Sequence, residues 1–324
     1  MFEYDLVIAW DWEFDTEFIN QFGARAKAAN CGFFSINPSN LNDSLDKIRR
    51  NDLRFRVLLD RASDTSEEFD PLIDAIIFSG TKTLNEAGNA IRALDKATMH
   101  LEFLARGIDV PYSIILSAAD DLSRIKYKDI HKIGCPFVIK PSRGGGGSGV
   151  VMAAETPGDI IAARQDYGDD KYLLQEKVVP RMFDSHRAYF RVFYVCGRII
   201  PIWWDDQTHL FSVLHSEDEQ KYHLERLRDI TETIAEISRL DFFSTEICVT
   251  SQNRFVVVDY VNDPVDMRLC SVYKDGVPDS IIGQIIEEIM RLVRQTEWTV
   301  LTPAKKEILS RRRDFERALL RKHR

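Results

Sequence analysis

The chain has 324 residues, 44% of them hydrophobic and 29% charged, with a formal net charge of −8. That length allows two or three domains with substantial cores, and no apolar run reaches the roughly 20 residues needed to span a bilayer. The acidic balance argues against wholesale nucleic-acid binding. Five scattered cysteines without a Cys-x-x-Cys pair read as the reduced thiols of a cytoplasmic protein.

The first residues, Met1 to Asp5, lack the basic and apolar stretches of a signal peptide. Tyr4 to Trp10 reads as a buried strand. Asp11, Glu13 and Asp15 follow it, and a helical pattern then runs to about Ala29. Gly32 to Ile36 is a second strand, closed by Asn37 and Pro38. Leu41, Leu45 and Ile48 stand at helical spacing. Phe55 to Leu59 and Asp74 to Phe78 read as third and fourth strands. Strands alternating with helices predict a parallel α/β domain, whose ligands bind beyond the carboxyl ends of the strands. Asp11 and Glu13 at the first strand's end are either substrate contacts or a solvated, helix-capping turn. Ser79 and Gly80 would hold the matching place on the fourth strand.

A helix from Asp95 would carry Met99, Leu101 and Leu104 and end near Gly107, before a strand from Ser113 to Leu116. On spacing alone, Lys96 reads as a surface lysine of that helix. Next comes the most informative stretch, Phe137 to Met152, in which an apolar run carries Lys140, breaks into Gly144, Gly145, Gly146 and Gly147 followed by Ser148, and resumes. Four consecutive glycines bring backbone N–H groups close to a ligand and are costly to order without one. Clustered amides beside a cation suit phosphate. Gly144, Gly146 and Gly149 formally match the dinucleotide fingerprint, which demands a following helix. Val150, Val151 and Met152 predict a strand instead, hence a strand–glycine-loop–strand hairpin.

Tyr172 to Val179 is an apolar strand interrupted by Gln175, Glu176 and Lys177 and stopped by Pro180. Polar groups in a buried strand need partners, and a linker strand beside an adenine would supply them. Ala188 to Val195 and Arg198 to Trp204 form a hairpin turned at Cys196 and Gly197. Arg191 lies in its first strand, where a buried cation requires an anion. His209, His215 and His223 lack metal-ligand spacing and read as loop or helix-surface residues. Tyr222 to Leu240 is an amphipathic helix. The runs Asp241 to Val249 and Arg254 to Pro264 make another hairpin, which places Glu246 and Asp259 on adjacent buried strands with Asn262 and Asp263 at the end. Buried carboxylates with an amide are the oxygen donors that Mg²⁺ uses when it bridges to phosphates. Ser280 to Trp298 is a last amphipathic helix. From Pro303 to Arg324 nine Lys/Arg stand against three Asp/Glu, leaving the preceding 302 residues at about −14. This basic helix, with a weak stripe of Ile308, Phe315 and Leu319, reads as a solvated or packing tail. Its alternative is a docking element for an acidic partner, a homodimer neighbour or RNA. The divisions fall at residues 1–95, 96–170, 171–300 and 301–324.

Together these residues resemble the ATP-grasp superfamily. Asp95–Lys96, then Gly107 to Pro111, then Pro136 to Ser142 with its glycine loop are similar to D-alanine–D-alanine ligases and ribosomal-protein glutamate ligases. The resemblance implies an ATP-grasp fold of the α/β class behind an N-terminal parallel α/β domain. It implies ATP and one or two Mg²⁺ as cofactors. It makes Lys96 and Lys140 the phosphate lysines, against the surface reading of Lys96. It makes Gln175, Glu176, Lys177 and Val178 the adenine hinge, and Asp184 the ribose-binding acid. Arg191 becomes the arginine on the transferred phosphoryl group, and Glu246, Asp259 and Asn262 the metal ligands. One departure stands out. The family pattern is Asp/Glu-x-Asn, whereas Asp259 and Asn262 have two residues between them, so a bulge, Asp263 in place of Asn262, or a weakened metal site are all open.

The function implied is an ATP- and Mg-dependent ligase that joins a small carboxylic acid or amino acid to an amine through an acyl phosphate. Such chemistry needs positioning and charge neutralisation rather than a protein nucleophile. The alternatives are a small-molecule kinase with a hydroxyl acceptor and a nucleotide-binding protein without turnover.

Overall fold

A computed structural model of the chain describes residues 1–118, 127–143, 145–165, 168 and 170–320. The first lobe runs β1 (Phe2–Trp10), α1 (Thr16–Ala28), β2 (Phe33–Ile36), α2 (Leu41–Arg49), β3 (Leu53–Arg61), α3 (Asp70–Phe78) and β4 (Lys82–Leu84). Its four strands are parallel in the order β2-β1-β3-β4. On β1 the whole run Leu6 to Ala9 is buried, because both faces of the sheet are covered. Leu6 and Ile8 pack with Phe18 and Phe22 of α1, while Val7 and Ala9 pack with Leu41, Leu72 and Ile76 on the other side.

The fourth strand expected at Asp74 to Phe78 is instead the helix α3, and β4 takes that place in the sheet. Pro71 in its first turn favours a helix start. Leu72, Ile73 and Ile76 bury one helical face, a pattern that a short apolar run does not distinguish from a strand. Ser79 and Gly80 therefore close a helix rather than the sheet edge, Gly80 doing so with φ +93.

The chain leaves through α4 (Ala87–Leu94) and α5 (Lys96–Ala105) into a second lobe of β5 (Ser113–Leu116), α6 (Tyr127–Ile130), β6 (Phe137–Pro141), β7 (Val151–Ala154), α7 (Pro157–Ala163) and β8 (Tyr172–Glu176). Its sheet is antiparallel in the order β5-β8-β6-β7. Phe137, Ile139, Tyr172 and Leu174 pack on one face, leaving the other to face the third lobe.

The third lobe opens with a ribbon, β9 (Met182–Phe183) and β10 (His186–Arg187). It continues through β11 (Tyr189–Val195), β12 (Arg198–Trp204), β13 (Phe211–Val213), α8 (Ser216–Lys221), α9 (Arg226–Ser238), β14 (Phe242–Val249), β15 (Phe255–Asn262) and α10 (Asp279–Gln295). Five antiparallel strands run in the order β13-β12-β11-β14-β15. Phe193, Ile202 and Phe242 share a core with Ile281, Ile285 and α1, so the first and third lobes are packed on one helix pair. Phe190, Val192 and Ile247 face α9. The helix expected from Tyr222 to Leu240 is α9, which starts later, at Arg226, because His223 with φ of 54 separates it from α8.

The terminal α11 (Pro303–Leu320) folds back on α3 and α4. The expected apolar stripe is not its contact face: Ile308 is 66% and Phe315 64% exposed, and the side chain of Leu319 lies outside the described residues. Charge makes the contact. Buried Arg313 donates from Nε to Asp74 at 2.9 Å and meets buried Glu316 at 3.3 Å, while Arg312 pairs with Glu86. Among the described residues no helix is long and apolar enough to cross a membrane.

Candidate active site

Lys140 stands on β6, its Nζ donating to Val258 O of β15 at 3.1 Å across the cleft between the second and third lobes. Burial pushes its pKa down, Asp259 and Glu246 oppose that, and neighbouring Lys96 adds to it. The glycine stretch forms the expected hairpin, with β7 antiparallel to β6, so the dinucleotide reading fails on its missing helix. Gly146 and Gly147 have φ of 58 and 77, and a Cβ on Gly145, Gly146 or Gly147 would meet nothing within 4 Å. These glycines are required for the path of the backbone, which leaves open space above it. Ser148 donates its N–H to Gly145 O at 3.0 Å. Gly144 lies outside the described residues.

Lys96 opens α5 and is half-buried, which overturns its reading as a surface lysine. Asp95, missed in the sequence, explains its position. This buried carboxylate caps α5 by accepting from Thr98 N–H at 3.1 Å, and it also accepts from Ser142 Oγ at 2.6 Å and from Lys171. Lys96 N–H in turn donates to Ser142 O at 2.8 Å. Burial alone would raise the Asp95 pKa, but the bonds from Lys171, Ser142 and Thr98 outweigh it and hold the pKa down. The start of α5 is thereby stapled to the root of the glycine hairpin. The adjacent pair Asp95–Lys96 was the only signal for it.

Opposite the lysines, Arg191 of β11 faces Glu246 of β14, and Glu246 faces Asp259 of β15. Arg191 ion-pairs with Glu246, and its guanidinium lies 5.2 Å from the Trp204 ring centre and 5.9 Å from that of Phe211. Tyr189, two residues before Arg191 on the same strand face, donates its hydroxyl to Glu246 at 3.1 Å; that period-two spacing could have identified it. Burial raises the Glu246 pKa and Arg191 works against the rise, with Asp259 adding to it. For Asp259, burial is outweighed by Lys96, Lys140 and Arg191, so its pKa is lowered.

The irregular spacing of Asp259 and Asn262 is absorbed by the strand. Register shifts on either side of Glu246 set Asp259 opposite Glu246 and Asn262 opposite Ser244, which keeps both on the Arg191 face. Asn262 donates to Ser244 O at 3.3 Å and bonds to Asp259. Asp263 turns away, toward Asn85, Arg61, Asp60 and Asp64, and burial lifts its pKa to about 7. Two carboxylates and an amide oxygen are hard donors that fit Mg²⁺ completed by phosphates and water. Among the described residues no cluster of three or more His, Cys, Asp or Glu gathers as a metal cage.

At the hinge, Glu176 is spoken for by the backbone. Its Oε1 accepts from Tyr112 N–H at 3.0 Å and its N–H donates to Tyr112 O at 2.9 Å. Lys177 is exposed and Val178 half-buried just beyond β8. Asp184 sits at the ribbon turn, 2.6 Å from both Lys221 Nζ and Tyr222 Oη, joined to α8 and its end rather than to the lysine–carboxylate cluster. The acids after β1 divide: Asp15 is buried against Arg61, Asp11 half-buried and Glu13 exposed.

No protein-family model matches this chain, and no curated protein does. Solved structures do. The D-alanine–D-alanine ligase of Bacillus anthracis complexed with ATP aligns with a TM-score of 0.58 at 15% identity, covering 91% of this chain and 99% of that one. A RimK-domain ATP-grasp protein of Sphaerobacter thermophilus gives 0.57 at 20% identity, covering 87% and 98%. The ATP-grasp ligase PsnB, complexed with a minimal precursor, Mg and ADP, gives 0.61 at 12% identity, covering 90% and 98%. The α/β chain, with its parallel first lobe and two antiparallel lobes meeting over Lys140, Arg191 and Glu246, has the ATP-grasp fold.

Proposed function

We propose that the protein is an ATP-dependent carboxylate–amine ligase. The observation carrying this reading is the convergence of Lys96, Lys140 and Arg191 on Glu246 and Asp259 at one interlobe cleft. Three cations around two carboxylates suit a polyphosphate with its divalent ion better than either alone. The similarity to ligases described with ATP, or with Mg and ADP, supports it.

In this reading a substrate carboxylate oxygen bonds to the γ-phosphorus as ADP departs. The amine then attacks the acyl carbon, phosphate leaves, and the amine loses a proton. Lys140 and Lys96 hold the phosphate oxygens, and the glycine-loop amides cover them. Arg191, kept flat by Trp204 and Phe211, neutralises charge on the group in transfer. Gln175, Glu176, Lys177 and Val178 line the base, and Asp184 swings from Lys221 to the ribose. Glu246, Asp259 and Asn262 would hold Mg²⁺, which would supply charge neutralisation to the phosphates. Loop closure excludes water from a hydrolysable intermediate.

The test is phosphate and ADP release across a panel of small carboxylic acids and amines. Phosphate release that requires both an acid and an amine is the expected result. ADP without free phosphate would make the protein a kinase, and tight ATP binding without turnover would make it a non-catalytic binder.

A further inference from the structure

A buried chain of polar side chains lies directly behind the hinge. Gln175, Tyr260 and His100 are 2%, 1% and 4% exposed. Gln175 Nε2 is 3.0 Å from Ser113 Oγ and 2.9 Å from Tyr260 Oη, and Tyr260 Oη is 2.6 Å from His100 Nδ1. Ser113 Oγ is also 2.8 Å from Pro111 O.

The orientation of the Gln175 amide follows from the Pro111 end of this chain. A carbonyl only accepts, so Ser113 must spend its single hydrogen on Pro111 O. Its oxygen can then only accept, which requires the amide nitrogen of Gln175, not the amide oxygen, to face it. The same nitrogen donates its second hydrogen to Tyr260, whose hydroxyl also bonds to Ser113 and to His100 Nδ1. Burial lowers the pKa of His100, which favours its neutral ring. Both amide hydrogens are used, and Gln175 is left presenting Oε1, for which the described residues record no partner.

Gln175 pairs across the sheet with Ser113 and with Val138, and Lys140 lies two residues beyond Val138. Paired and alternate residues share a face, so Gln175 points to the same side as Lys140, opposite the core formed by Ile139 and Leu174. It is also the last residue before Glu176, Lys177 and Val178.

We infer that the chain from Pro111 through Ser113 to Gln175, continued by Tyr260 and His100, fixes the polarity of the base pocket and makes it select adenine over guanine. Gln175 Oε1 is a fixed acceptor. The adenine C6 amino group is a donor that satisfies it, whereas guanine O6 is a second acceptor that leaves both unpaired. Ser113, Tyr260 and His100 act through Gln175 and are positioning residues. The inference rests on the proposed nucleotide site and concerns its specificity.

Binding separates the two. Unlabelled ATP and GTP are competed against a fluorescent ATP analogue, with melting curves verifying the fold of each variant. Wild type should favour ATP by roughly 10- to 100-fold, the cost of one unpaired buried group. Ser113→Ala frees the amide to turn over, because Tyr260 can then donate to the amide oxygen and accept from His100 Nδ1–H. Its preference should collapse toward unity. Ser113→Thr should restore the preference, and Tyr260→Phe should keep it, since Ser113 still holds the nitrogen. General structural damage would not spare the larger Tyr260 change. A Ser113→Ala protein with wild-type preference, or a wild type binding both nucleotides equally, overturns the inference. Wild type binding neither nucleotide overturns the site reading and the inference together.

Discussion

Asp15 and Arg61 offer the sharpest test of how the first lobe is held against the catalytic hairpin. Their side chains are 1% and 3% exposed, and the pair is bidentate, with Arg61 Nε and Nη2 each 2.7 Å from a carboxylate oxygen. Arg61 Nη1 also donates to Val265 O at 2.9 Å, just past β15. Asp15→Asn preserves shape but removes the bidentate partner of the buried guanidinium, leaving it only the more distant charges of Asp60, Asp64 and Asp263. Breaking a buried pair in this way costs about 3–5 kcal/mol. The Phe18 ring 5.5 Å from Arg61 Cζ and the Val265 carbonyl remain, so the lower end applies. A loss near 3 kcal/mol is a large part of a typical stability of about 5–15 kcal/mol. Urea unfolding should therefore show a clear drop in midpoint with little change in slope. The double variant Asp15→Leu with Arg61→Met removes both charges and should recover most of the loss, because paired apolar replacements are often neutral. An Asp15→Asn protein within about 1 kcal/mol of wild type would refute the pair as a buried latch, since surface pairs cost only that much.

Two further outcomes concern the cleft. Lys140→Ala and Glu246→Ala should each lower kcat by roughly 10²–10³-fold or more, the usual effect of removing one electrostatic contact to the group in transfer, with circular dichroism unchanged; activity within tenfold of wild type for either would refute the assignment. Asp263, lifted to about 7 by burial, holds its proton in the folded state where an unfolded aspartate near 3.9 has lost it. Folding therefore binds a proton between those values, and the contribution of Asp263 is full below about pH 4 and is lost as pH rises to about 7. Asp263→Asn should match wild type near pH 4 and exceed it above pH 7 in urea midpoint, and parallel pH profiles would contradict this.

Much of the site was legible because it is written in short stretches. Lys140 with its glycines, Arg191 inside an apolar strand, and Glu246 and Asp259 on a hairpin are each a polar residue in a buried context, and burial demands a partner. The partners themselves are set by register. Asn262 reaches the Arg191 face only because β15 shifts register twice against β14, while Asp263 turns toward Arg61 and Asn85. Asp74 to Phe78 is apolar enough for a strand or a helix, and it is α3 because its neighbours leave it one covered face. The tail displays its apolar side and docks through Arg313, whose partner, Asp74, lies more than 200 residues earlier in the chain.

The sequence by itself determined the kinds of chemistry available: a flexible phosphate loop, two lysines, an arginine, and oxygen donors for a divalent ion. Side-chain type and local backbone freedom settle those matters. Which of these groups meet, and with what polarity, was decided only by tertiary packing. Gln175 could present either end of its amide until the serine two residues after Pro111 was brought against it, and that contact joins strands some sixty residues apart.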